Sequence, residues 1–117
     1  MIRERWKKFQ DYIAERLKVI DPHARSTKGS GNQGEMGDVN NKVGLNIECK
    51  FRNTKSATIN HKVWDKVCEE IPLHSPRIPM LALENEEGKR WAVLDLDDFL
   101  DMFIDAYNYR NSSANGT

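Results

Sequence analysis

Three residues have types and spacing suited to chemistry on a phosphate. Glu48 and Lys50 stand two apart in a stretch where Leu45, Ile47, Cys49 and Phe51 alternate with Asn46, Glu48, Lys50 and Arg52. A period of two is that of a half-buried strand, so Glu48 and Lys50 leave one polar face while Cys49 leaves the other. Such a pair alone is usually an exposed ion pair of little consequence. Asp38 changes its meaning. It opens the preceding strand, Asn40-Asn41-Lys42 has the composition of a tight turn, and a hairpin there brings Asp38 beside Glu48. Two carboxylates brought together repel unless a cation lies between them, and oxygen ligands with one or two carboxylates suit Mg²⁺, with Mn²⁺ as an alternative. A lysine beside that pair can hold a water or a scissile phosphate, while a bound metal activates water and offsets charge on phosphorus. Asp38, Glu48 and Lys50 are therefore the expected catalytic residues, with Asp38 and Glu48 as metal ligands.

The elements that must position them follow from periodicity. Ile2, Trp6, Phe9, Ile13, Leu17 and Ile20 form one stripe of a first helix ending at Asp21-Pro22. His23 to Ser26 reads as a short strand, and Lys28 to Gly37 as a glycine-rich loop. A second helix, capped by Ser56 or Thr58, carries Ile59, Val63, Val67 and Ile71 and closes at Pro72. Ile78 to Glu84 and Arg90 to Leu94 read as strands joined through Asn85-Glu86-Glu87-Gly88. A third helix, capped by Asp95 or Asp97, carries Leu96, Phe99, Leu100, Phe103, Ile104 and Tyr107 and finishes the fold. Residues 108–117 read as a disordered polar tail behind a single domain over residues 1–107. The order αβββαββα predicts an α/β protein, with one mixed central sheet flanked by helices.

Composition narrows the partners. The 117 residues carry no net formal charge, but Met1 to Lys62 holds 13 Lys and Arg against 7 Asp and Glu, and Val63 to Thr117 holds 5 against 11. A basic half (+6) and an acidic half (−6) allow one surface to meet DNA while the other stays away from it. Arg25, Lys28, Arg52, Lys55 and Lys62 flank the expected centre and would supply phosphate contacts. No apolar run approaches a membrane span, and Met1 to Trp6 lacks the features of a secretory signal. A cytoplasmic setting, including a host cytoplasm for a phage protein, suits two free cysteines. The glycine loop lacks the Gly-Lys-Ser/Thr ending of a P-loop, so no nucleotide cofactor is expected. His23, His61 and His74 have no metal-ligand spacing. Trp64 and Trp91 read as core or dimer-contact residues.

Gly37-Asp38-Val39 followed by Ile47-Glu48-Cys49-Lys50 resembles the PD-(D/E)xK nuclease superfamily, with glycine where that family often has proline. Gly29-Ser30-Gly31 and the segment Lys55 to Ile59 leading into a helix resemble the Holliday junction resolvases of archaea and phages within it, over roughly Met1 to Phe99. The resemblance implies a restriction-endonuclease-like core with Asp38 and Glu48 as metal ligands and Lys50 as the catalytic lysine. It further implies an acidic residue from the first helix, where Glu4, Asp11 and Glu15 are all available and Glu15 is favoured as a metal ligand. Ser30 would contact a phosphate or position the metal, and Glu35 would be a supporting or ligating carboxylate.

The expected activity is structure-selective cleavage of branched DNA, chiefly four-way junctions. Two symmetric cuts call for a homodimer, whose surface would involve the second helix with Trp64 and the neighbouring hairpin. Two rivals stand beside it: a nicking or restriction-type nuclease of the same core, and a DNA-binding module of that fold without turnover. A short chain leaves almost no room for base-reading segments, which favours recognition of shape.

Overall fold

The computed structural model describes the backbone of residues 2–27 and 37–114, with side chains from Arg5 to Thr27 and from Gly37 to Ser112. Its elements run α1 (Ile2–Leu17), β1 (Arg25–Ser26), β2 (Val39–Asn40), β3 (Leu45–Phe51), α2 (His61–Glu69), β4 (Ile78–Glu84), β5 (Arg90–Leu94) and α3 (Leu96–Ala114). The order is the expected one, and the protein is of the α/β class.

The strands form two sheets among the described residues. β1 and β2 make a short antiparallel pair. β3 lies parallel to β4, with Leu45 opposite Ile78 and Phe51 opposite Glu84, and β4 lies antiparallel to β5. Parallel strands need a crossover, which α2 supplies. The expected single sheet is thus divided. β2 meets β3 through one backbone bond, Asp38 N–H to the Ile47 carbonyl at 2.7 Å, and not through a hairpin ladder.

α1 buries its stripe against one face of β3. Phe9 and Ala14 pack with Val39, Ile47, Cys49 and Ala82, with Ile13, Leu17, Leu45 and Met80 around them. The helix stops at Leu17, before the expected end, because Asp21 turns back to accept the backbone N–H groups of Lys42 at 2.8 Å and His23 at 3.1 Å. Ile20, expected in the stripe, is 67% exposed.

α2 lies over the opposite face of β3, which corrects the half-buried reading of that strand. Asn46 and Glu48, on the polar face, are buried like Ile47 and Cys49 on the apolar one. Asn46 is tolerated there because its Nδ2 donates to the Val67 carbonyl of α2 at 2.9 Å. α2 itself starts later than expected. Its cap is Asn60, whose Oδ1 accepts from Lys62 N at 2.8 Å, so Ser56, Thr58 and Ile59 remain in the loop before it.

The carboxyl end departs most from expectation. Asp95 caps α3, its Oδ1 accepting from Asp97 N at 3.0 Å and Asp98 N at 3.1 Å. The helix continues through residues 108–114, which composition assigned to the tail. Its apolar stripe is exposed, and among the described residues α3 packs closely on no other element beyond its first turn.

Candidate active site

Asp38 is held from both sides by backbone. Its N–H donates to Ile47 O, its carbonyl accepts from Thr27 N at 2.9 Å, and its Oδ2 accepts from Cys49 N at 2.7 Å. The β1 side and the β3 side therefore clamp one residue, and its carboxyl plane is set before any ligand arrives. Gly37 makes that approach possible. A Cβ at Gly37 would stand 2.5 Å from Ile47 O, and the residue sits at φ +69. Proline's ring forbids that φ and an L side chain is strained there, so this turn needs its glycine.

Glu48 leaves β3 on the face covered by α2 and meets Asp38 there. Burial, and then the neighbouring Asp38 charge, raise the Glu48 carboxyl above its ordinary range, against the pull of Lys50 and Lys66. Two carboxyl groups that share a dry corner are poorly stable as two anions. Lys50 Nζ lies 3.4 Å from Glu48 Oε1 and is one-third exposed, so its charge sits at the mouth of the corner.

These side chains line one cleft of about 340 Å³ together with Trp6, Cys49, Phe51, Arg52 and Lys66. Asp38, Glu48 and Lys50 are thus brought together as expected, and Arg52 joins them. The Cys49 thiol is pushed up by burial and by both carboxylates, which leaves it a small buried hydrophobe and not a nucleophile. Cys68 is likewise a free thiol.

Other expected site residues fall elsewhere. Glu15 is exposed on α1 and bonds Lys18 at 2.7 Å. It lies outside the cleft because α1 packs on the opposite face of β3 from Glu48. Asp11 pairs with Lys7 and accepts from Ser26, also on the exposed side. Arg25, Lys55 and Lys62 are exposed and do not line the cleft. Lys28, Ser30 and Glu35, and the side chain of Glu4, lie outside the described residues.

Two contributors went unnoticed in the sequence. Lys66 lies one helical turn beyond Lys62, and once α2 is placed over β3 that turn carries its ammonium to the cleft. Trp6 reads as core by its spacing but is half-buried and forms a cleft wall. Gln10, one turn further along α1, is buried with neither amide atom bonded among the described residues.

The donor set fits a hard divalent cation. Mg²⁺ commonly takes one or two protein carboxylates and fills its remaining positions with water and substrate oxygens. Among the described residues no group of three or more His, Cys, Asp or Glu converges, so Asp38 and Glu48 are the acidic ligands on hand. Around them Lys50, Arg52 and Lys66 make a positive rim. Two carboxyl groups inside and three cationic side chains outside give the cleft a polar, charged lining suited to a charged ligand. No family model, curated protein or solved structure matches this chain. No helix among the described residues is long and apolar enough to cross a membrane.

Proposed function

We propose that the protein is a metal-dependent endonuclease acting on branched DNA, chiefly four-way junctions. The convergence of Asp38 and Glu48 in a dry corner rimmed by Lys50, Arg52 and Lys66 carries this reading. The element order, and a mixed sheet held between α1 and α2, agree with a restriction-endonuclease-like core.

Asp38 and Glu48 would hold Mg²⁺ or Mn²⁺, which when bound lowers the pKa of water and offsets charge on the phosphorus. Their own part is to present oxygen atoms in a fixed arrangement, which for Asp38 the Cys49 N–H secures. Lys50, tethered near Glu48 and partly exposed, orients the scissile phosphate or the attacking water. Arg52 and Lys66 take flanking phosphates, contacts that position a backbone without reading bases. Base reading would need a further element reaching into a groove, and the cleft wall contains none among the described residues.

Purified protein incubated with labelled four-way junction, linear duplex and single-stranded DNA tests the reading, with Mg²⁺ or EDTA. Paired symmetric cuts in the junction alone are expected, abolished by EDTA. Lys50→Ala and Asp38→Asn should each lower the rate by about 10²-fold or more, the size associated with losing one preorganised electrostatic group. Equal cutting of linear duplex would keep the nuclease and discard junction selectivity. Tight junction binding with no cutting in either metal would establish the non-catalytic binding module instead.

A further inference from the structure

Two apolar surfaces of this chain lie open and match each other. The first is the stripe of α3. Phe99 is 44% exposed, Phe103 58%, Ile104 53% and Tyr107 59%, all at the three- and four-residue spacing of one helix face. The second is a groove of about 240 Å³ beside α1, lined by Tyr12, Ile13, Met80, Ala82, Trp91 and Ala92. It exists because α1 covers β3 and leaves the β5 side of that sheet face bare, where Ala92, paired with Ala82, is exposed. A sheet face of this kind ordinarily carries a second helix beside the first.

The chain's own α3 is poorly placed to be that helix. Only Asp95 separates Leu94 at the end of β5 from Leu96 at the start of α3. Strand-to-helix connections that let the helix reverse along its own sheet commonly use two to six residues. A one-residue link sends α3 outward, and the radius of gyration of 15.4 Å exceeds the about 13 Å of a compact chain of this length.

The geometry points to a second copy of this chain as the occupant, with each α3 laid in the partner's groove beside α1. Charge supports that pairing. Asp97, Asp101 and Asp105 follow each other at four-residue spacing along α3, while Lys8 and Arg16 flank Tyr12 at the same spacing on the exposed side of α1. A two-fold exchange places each acidic row against a basic one twice over. The area suffices as well. Side chains of about 150–250 Å² each, exposed to this degree, offer roughly 430 Å² of stripe per copy before the groove walls are counted, against about 800 Å² per partner in a stable interface, to which each copy contributes both its stripe and its groove. The pairing rests on packing and charge and holds whether or not the cleft cuts DNA.

Sedimentation equilibrium of the full chain provides the test. The expected particle has twice the 13.5 kDa chain mass. Phe99→Asp with Phe103→Asp should weaken association at least 100-fold while the far-ultraviolet spectrum keeps its shape. The decisive arm uses charge. A chain carrying Asp101→Lys and Asp105→Lys, and another carrying Lys8→Glu and Arg16→Glu, should each associate more weakly than the parent, and an equimolar mixture should recover heterodimers. A monomeric parent overturns the inference, as does a dimer that survives the Phe99 and Phe103 changes. Failure of the mixture to pair overturns the exchange of α3.

Discussion

β3 and α3 are opposites in how each meets its surroundings. β3 is a strand of mixed character, with Asn46, Glu48 and Lys50 along one face, yet Asn46 and Glu48 are buried under α2 as Ile47 and Cys49 are under α1. α3 is more apolar along its stripe than any other helix here, and it leaves Leu96, Phe99, Leu100, Phe103, Ile104 and Tyr107 exposed. Burial therefore tracks where an element falls in the layering and not how hydrophobic it is. The polar side chains at this corner are buried with partners at hand: the Asn46 amide N–H donates to the Val67 carbonyl, Asp38 accepts from the Cys49 N–H, and Glu48 pairs with the neighbouring Lys50. The apolar groups of α3 stay open because the short link at Asp95 aims them away from their own sheet.

Four substitutions would break or sharpen this contrast. The largest effect belongs to Ile47→Ala, which empties the centre of the core. Its expected cost is about 2–5 kcal/mol, read as a lower midpoint in urea at unchanged slope. Next is Gly37→Ala, where an added Cβ meets Ile47 O under a positive φ. A loss of about 1–3 kcal/mol is expected, and DNA cleavage should fall further than the folded fraction does, because Asp38 moves with the turn. If stability drops while cleavage per folded molecule is unchanged, the clamp on Asp38 has no catalytic role.

A pH series probes the same corner without changing its shape. The folded-state pKa of Glu48 lies above its ordinary 4.5, so below that value the group is protonated in both states and costs nothing. As pH rises through the raised folded value, the native state holds the proton longer than the unfolded state does, and stability falls. Glu48→Gln should flatten that decline, and Mg²⁺ should remove it by releasing the proton on binding. A decline of equal slope in parent and variant would assign it to another group. The smallest effect is expected at Phe103→Ala: diluted to a single chain, its stability should stay within about 0.5 kcal/mol of the parent. A cost comparable to that of Ile47→Ala would mean that α3 is part of its own chain's core.

Much of this was legible in the residues alone. The limits of β4 and β5 fall where alternation begins and where Asn85 to Lys89 turns the chain, and the element order follows from the same local signals. Glu48 and Lys50 could be placed together because a strand's period of two dictates which side chains share a face, whereas Asp38, expected beside them through a hairpin, arrives through one backbone bond to Ile47 and its own bond from Cys49 N–H. Lys66 could not be found that way, since its place in the cleft depends on how α2 lies across β3, a contact between residues distant in sequence. Glu15 was misplaced for the same reason. Its position on the first helix was evident, but whether that helix faces Glu48 or the other side of β3 is decided by packing.

Covalent geometry and local periodicity determine which residues form a helix or strand and which side chains point the same way, and the sequence by itself settled those matters for β3, β4 and β5. Whether a face is then buried depends on a second element reaching it. That was decided only in the folded chain, where α2 closes over the polar side of β3 and, beyond its first turn, the apolar side of α3 stays exposed among the described residues.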